Sequence, residues 1–336
     1  MSTSQTAARA EASFAVQRAG PPLRNAPFRL RLEELVALLF LLPTAYLTVA
    51  ANLSARREGV LAERYAGGLV RLVVAVLLLA LLLILARLWP SARVVIALRE
   101  VLPFVTCILI YTNLHDTIGF VNTRDVQQWL IGIDQALFGV QPSVWAERFV
   151  TRGRTELMSF LYMSFLWIAP STSLLLLFRR RWREFRAATL SVVTCFYLGY
   201  ALYVLLPAAP PRLVLVFEYT RSLEGYPRLF SSLEARAFEL LPLDSRAAFP
   251  SLHAAASLVA LVCAWRHERR LFWLLVPFVL GLWVSTIYLR HHYFVDLLGG
   301  WLLAPVALLL APRLDAWWAA RQRALGYATA RGAPGA

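Results

Sequence analysis

The sequence predicts an all-α, polytopic membrane helix bundle of about eight spans. Three observations predict it. Hydrophobic residues make up 59% of the 336-residue chain. Several apolar runs reach the roughly 18 to 20 residues that cross a hydrocarbon core as a helix. Short clusters of Arg, Pro and Gly divide those runs, as loops divide spans.

Taken in order, the runs place spans at 33–53, 69–89, 93–113, 156–178, 187–208, 249–268, 271–290 and 292–311. The first 32 residues are rich in Ala, Arg and Ser and lack the apolar core of a cleaved signal peptide, so they read as a disordered cytoplasmic tail. Residues 33–113 then carry the N-terminal spans, 114–312 a membrane core, and 313–336 a second cytoplasmic tail. Cys107, Cys195 and Cys263 all fall inside apolar runs, outside any C-x-x-C pair, and read as small core residues.

The net charge of +14 comes entirely from Arg, because the chain contains no Lys. Such an excess suits nucleic acid in a soluble protein, but in a polytopic chain it suits cytoplasmic loops. With eight spans both tails share a side. That side, with R-R-R-W-R-E-F-R at 179–186 and R-H-E-R-R at 266–270, holds 20 Arg against 7 acids. The other side holds 14 Arg and 13 acids. The loops at 54–68, 114–155 and 209–248 are therefore expected on the exterior or lumenal face, and a bacterial inner membrane is the expected location. In one of those loops Val126, Trp129, Leu130, Ile133 and Leu137 recur at helical spacing, as in an amphipathic interfacial helix. The loop at 209–248 is long enough to be a lid or binding element.

Three polar patches then reach one membrane surface: L-L-P-A-A-P-P-R (205–212), A-F-P-S-L-H-A-A (248–255) and Y-L-R-H-H-Y-F-V-D (288–296). Ionisable groups are costly near hydrocarbon and tend to mark function there. His292 and Asp296 are four residues apart, so on a helix they share a face and the carboxylate can hold one imidazole N–H. The other nitrogen stays basic and can attack phosphorus to form a phosphohistidine. Pro250 suits a first helical turn, whose free N–H groups favour phosphate. Ser251 can donate to a phosphoryl oxygen, and His253 can protonate a leaving oxygen. Arg212, Arg246 and Arg290 are candidate phosphate clamps. His291 points elsewhere than His292 and is secondary. Each residue also has an ordinary structural reading: a capping pair, an interfacial Ser and His, snorkelling arginines. Their convergence favours chemistry. With no H-E-x-x-H, D-x-D or Cys/His cluster and no Walker-type loop, the expected chemistry is displacement at phosphorus without a metal or other cofactor.

These residues resemble a known family. F-P-S-L-H followed about 30 residues later by Y-L-x-x-H-Y-x-x-D-x-x-x-G is similar to the second and third motifs of the type 2 phosphatidic acid phosphatase superfamily. L-P-A-A-P-P, A-F-P-S-L-H, S-T-I-Y-L-R-H-H-Y-F-V-D-L-L-G-G and D-Q-A-L-F-G at 134–139 look most like its inositol phosphorylceramide synthase branch. The resemblance covers roughly residues 110 to 312. It implies a helical bundle with an extracytoplasmic or lumenal site, His292 as nucleophile, Asp296 as its orienter, His253 as acid, and Ser251 in the phosphate pocket. The general pattern has a Lys and an Arg in its first motif and a Ser-Arg pair opening the third. Here the first motif is L-P-A-A-P-P-R and the third opens Ser285-Thr286, so Arg212, Arg246 and Arg290 are the expected replacements. The implied partners are a phospholipid donor and a lipid alcohol or water as acceptor. Transfer of a headgroup to a ceramide-like alcohol is favoured over hydrolysis of a phosphatidate or polyprenyl phosphate. A transporter would instead place its charges at the bilayer midplane.

Overall fold

A computed structural model describes residues 30–57, 63–89, 92–239 and 246–326. The expected tail over residues 1–32 lies almost wholly outside the described residues, as do residues 58–62 of the first loop and the end of the C-terminal tail. Among the described residues the chain is helical, with one isolated bridge between Ala208 and Ala247.

The long helices fall where the apolar runs lie. They are α1 (Leu32–Arg57), α2 (Glu63–Leu88), α3 (Arg93–Val121), α6 (Arg152–Met163), α7 (Phe165–Phe178), α8 (Trp182–Leu205), α11 (Leu252–His267), α12 (Arg269–Tyr288) and α13 (Phe294–Ala324). Helices α6 and α7 run on as one span, Arg152–Phe178, broken only at Ser164. Among the described residues six segments are long and apolar enough to cross a membrane: Leu32–Ser54, Gly68–Leu88, Arg152–Phe178, Trp182–Leu205, Arg269–Tyr288 and Phe294–Ala324. The two remaining expected spans, α3 and α11, are helices of the same bundle. The chain is an integral membrane protein.

Helix α11 is the hub, packed against α7, α8, α12 and α13. Its inner face is small: Ala254, Ala255, Ala256, Ala260 and Ala264 are all fully buried. Lipid does not drive helices together hydrophobically, so small side chains that allow close backbone approach hold such a hub. Gly300 of α13 shows how close: a Cβ there would lie 2.4 Å from the Ser251 carbonyl oxygen. The three cysteines are buried in the core, as expected.

Between the spans lie short helices at the end that carries the histidines: α4 (Gln127–Phe138), α5 (Pro142–Ala146), α9 (Pro211–Val214) and α10 (Phe230–Glu239). Helix α4 is the predicted amphipathic helix, ended by Gly139 at φ 70°, a left-handed cap that favours glycine. Leu130 and Asp134 face the protein, while Trp129, Ile133 and Leu137 remain exposed, as an interfacial helix requires.

The long loop is pinned rather than loose. Buried Glu147 accepts from the Thr220 N–H (2.7 Å), the Thr220 hydroxyl (3.0 Å) and the Arg221 N–H. Buried Glu156 accepts from the Tyr226 N–H (2.6 Å), the Ser231 N–H (3.2 Å) and the Ser231 hydroxyl. At the opposite end of the bundle, arginines of the basic loops pair with acids. Arg186 meets Glu33 and Asp315, Arg181 meets Glu184 and Glu268, and Arg99 meets Glu34. Part of the Arg excess therefore ties helix ends together.

Candidate active site

The three polar patches, scattered over some 90 residues of sequence, are laced together by hydrogen bonds to main-chain carbonyls. Ala208 and Ala247 form the bridge, with Ala208 N–H donating to Arg246 O (3.0 Å) and Ala248 N–H to Ala208 O (3.0 Å). The Ser251 N–H donates to Asp296 O (2.9 Å), joining the second patch to the third. The Tyr293 hydroxyl donates to Ala209 O (3.2 Å), joining the third to the first.

His292 does not stand on a helix. It lies in the turn between α12 and α13, so the predicted shared helical face with Asp296 is not how they meet. Asp296 is the third residue of α13 and reaches back across the helix start. Its Oδ2 accepts both the Tyr293 N–H (2.9 Å) and His292 Nδ1 (3.1 Å). One carboxylate thus caps the helix and orients the imidazole. A second buried carboxylate completes the cap: Asp134 of α4 accepts the Phe294 N–H (2.8 Å) and the Val295 N–H (2.9 Å). Burial, opposed by those two donors, raises Asp134 above the usual carboxylate value. Asp134→Ala would leave two half-buried N–H groups without that acceptor and should cost about 1–3 kcal/mol. We expect a lower melting temperature and a lower turnover together; an unchanged melting curve would remove Asp134 from the cap.

The turn itself is held by strain and by Thr286. Arg290 is left-handed at φ 64°, a conformation that costs a side-chain-bearing residue on the order of 1 kcal/mol. The reversal lets the His291 and His292 N–H groups both reach Thr286 O, at 2.9 and 3.2 Å. The Arg212 N–H secures Arg290 O from outside (2.9 Å). Thr286, which stands where the general pattern has Arg, donates its own hydroxyl to Trp283 O (2.8 Å).

His253 sits in the first turn of α11, with Nδ1 3.2 Å from His292 Nε2. Since Asp296 takes the proton side of His292 at Nδ1, Nε2 presents a lone pair, and the His253 Nδ1–H points at it. Aromatic rings wall His253 in: Tyr162 at 4.8 Å and Phe165 at 4.5 Å, on either side of the Ser164 break. Pro250 is not in the first helical turn. The helix starts at Leu252 with Ser251 as N-cap, its hydroxyl accepting the Ala254 N–H (3.3 Å). That use takes a lone pair and leaves the hydroxyl proton as the possible donor to an anion.

The three candidate arginines fare differently. Arg212 reaches His291, with Nη1 3.0 Å from Nδ1. His291 in turn meets buried Glu234 of α10, Nε2 to Oε1 2.6 Å. Burial lowers His291 to about 4 and His292 to about 3, and the Arg212 charge pushes both the same way. Both imidazoles are therefore neutral at physiological pH. Arg290 donates to Arg221 O (2.6 Å) and lies over the Tyr219 ring (3.8 Å). Arg246 is taken up by Asp125. A polar cavity of about 490 Å³ opens beside the turn, lined by Arg212, His291, Arg290, Glu234, Thr155 and Ser231 among others. Tyr162, Phe165 and Glu234 were not singled out by the sequence, and Asp134 entered only as the first residue of D-Q-A-L-F-G. An aromatic in a span looks like one facing lipid, and an acid in a loop looks solvated.

Comparison with known proteins gives the chain a family. The family model described as the PAP2 superfamily matches residues 128–310. The chain is similar to inositol phosphorylceramide synthase of Candida albicans, 48% identical over 59 residues, 17% of this chain and 12% of that protein. It is also similar to the inositol phosphorylceramide synthase catalytic subunit of Schizosaccharomyces pombe, 47% identical over 68 residues, and of Saccharomyces cerevisiae, 42% over 59. Those matches cover 20% and 18% of this chain and 16% and 15% of the relatives, so the likeness to these curated relatives is confined to a short segment. No solved structure matches the chain. The superfamily match runs from α4 through the histidine turn and into α13, and the chain belongs to the PAP2 superfamily.

Proposed function

We propose that this protein is a membrane-embedded, metal-independent lipid phosphotransferase that passes a phospho-headgroup through a phosphohistidine. The donor is a phospholipid such as phosphatidylinositol, and the acceptor a ceramide-like or other lipid alcohol. The observation that carries the reading is the Asp296–His292–His253 line. One imidazole nitrogen is oriented by a carboxylate, and the other faces a second imidazole across 3.2 Å.

In the first step His292 Nε2 attacks phosphorus as the P–O bond to the diacylglycerol breaks. His253 delivers a proton to that oxygen. A neutral imidazole has one N–H, so His253 must first hold two protons; the anionic phosphodiester beside it favours that charged form. In the second step His253 takes the acceptor hydroxyl's proton, the new P–O bond forms and the P–N bond breaks. Arg212 and the Ser251 hydroxyl are assigned to the phosphoryl oxygens. Arg290 lines the headgroup side of the cavity, and Arg246, held by Asp125, supports the 246–248 segment of the site. An apolar cavity of about 870 Å³ is lined by Trp145, Trp283, Tyr288, Phe294, Leu297 and Trp301 among others. It flanks the same ends of α12 and α13 and suits an acyl chain. The Arg-rich opposite end supports an extracytoplasmic or lumenal site.

The deciding experiment offers the purified protein phosphatidylinositol with and without ceramide. Diacylglycerol plus a phosphorylated ceramide, dependent on ceramide, is the expected result. Inositol phosphate formed equally in both arms would make the protein a hydrolase, with water as acceptor. No diacylglycerol in either arm, with phosphatidate also untouched, would overturn the reading.

A further inference from the structure

His291 stands next to the proposed nucleophile, yet nothing in the two-step chemistry uses it. It is buried, as is its partner Glu234, and a buried histidine–carboxylate contact needs a reason. The donor and acceptor roles can be settled. A guanidinium has N–H donors and no acceptor, so at 3.0 Å from Arg212 Nη1 the His291 Nδ1 must be the accepting, unprotonated nitrogen. A neutral imidazole then carries its proton on Nε2, and that N–H donates to Glu234 Oε1 at 2.6 Å. Glu234 selects the tautomer, the tautomer offers a lone pair, and the lone pair fixes the Arg212 fork.

We infer that His291 and Glu234 are positioning residues that aim the Arg212 guanidinium at the phosphoryl oxygens held beside His292. Three further observations bear on this. Arg212 and His291 both line the 490 Å³ polar cavity, so an anion can reach the guanidinium from that side. The Arg212 charge acts on His292 as well as on His291. The His291 ring packs at 4.5 Å on Tyr162, and the same Tyr162 ring lies 4.8 Å from the His253 ring, so His291 and His253 share one aromatic support. The pair thereby compensates for a first motif with a single cation: one preorganised guanidinium loses less freedom on binding an anion than a mobile one. This rests on the phosphoryl-transfer reading only for the identity of the anion.

The test uses the full chain in detergent and inorganic phosphate as probe, with affinity read by calorimetry and turnover read separately. Arg212→Ala should weaken phosphate binding about tenfold to a hundredfold, as for loss of a charge-assisted contact. His291→Phe keeps the ring but removes Nδ1, and should weaken it similarly. The double variant should bind no worse than Arg212→Ala alone, because His291 acts through Arg212. His291→Asn, whose carbonyl oxygen can stand where Nδ1 stood, should recover affinity to within about threefold of the parent chain. His291→Gln, whose amide reaches the Nε2 position instead, should not. The Asn and Gln pair decides the matter if the phenylalanine variant does not fold. Multiplying losses in the double variant, equal affinities for Asn and Gln, or a parent chain that does not bind phosphate would each overturn the inference. Phosphate binding with the expected pattern but no lipid turnover would sink the transferase reading and leave this one standing.

Discussion

His292→Ala is expected to abolish turnover, lowering kcat by about 10⁴-fold or more, as when a covalent nucleophile is removed from a preorganised site. Neighbours offer no substitute. His291 has its Nδ1 on Arg212 and its Nε2 proton on Glu234, so it cannot turn a lone pair to phosphorus without breaking both contacts. His253 cannot act as nucleophile and acid in one step. The variant also leaves Asp296 a buried carboxylate that retains the Tyr293 N–H but loses its imidazole. Some loss of stability is therefore expected alongside, and turnover must be read on protein that elutes and melts as a folded species. Rapid quenching with radiolabelled phospholipid should trap an acid-labile phosphoenzyme in the parent chain and none in the variant. Retained turnover of phosphatidylinositol or phosphatidate by His292→Ala would end the nucleophile assignment.

Gly300→Ala should damage the protein for a steric rather than a chemical reason. The added Cβ would stand 2.4 Å from the Ser251 carbonyl oxygen, 2.9 Å from Ala254 Cβ and 3.1 Å from the Ala255 nitrogen. Two of these are main-chain atoms at the start of α11, which cannot swing aside as a side-chain tip can. Overpacking of this kind typically costs about 1–3 kcal/mol, and more where backbone must move. The displaced segment carries Ser251 and His253, and its Ser251 N–H holds Asp296 O, so relief of the clash pulls His253 away from His292. A lower melting temperature and a fall in kcat of about tenfold to a hundredfold are expected, the range that a misplacement of about 1 Å produces. Gly132→Ala is the matched control, because a Cβ there meets nothing within 4 Å. Equal behaviour of the two variants would show that α11 and α13 do not pack as described.

How far each feature was legible in the sequence follows from the distance over which its cause acts. Span positions were legible because a bilayer reads hydrophobicity residue by residue along a helix, and α2, α8 and α12 lie close to where their apolar runs are. The amphipathic helix α4 was legible from its own spacing. The polar patches were legible as anomalies, because charge at a span end asks for an explanation whatever surrounds it. The His292–Asp296 pair was legible as a contact but not as a geometry. Four-residue spacing suggests one helical face, whereas the helix begins between the two residues and the carboxylate reaches back as its cap.

The sequence by itself determined that this is a membrane bundle, that its polar motifs gather at one end, and which histidine has a carboxylate within reach. Those properties depend on local composition and short spacings. Only the tertiary structure decided which arginine stands beside the histidines, since Arg212, Arg246 and Arg290 are alike as sequence. They differ in what the fold brings to them: His291 for Arg212, Asp125 for Arg246, and Arg221 O with the Tyr219 ring for Arg290. The same holds for Asp134 and Glu234, whose contacts cross 160 and 57 residues of chain. A guanidinium's role is set by the acceptors around it, and those acceptors come from parts of the chain that only folding brings together.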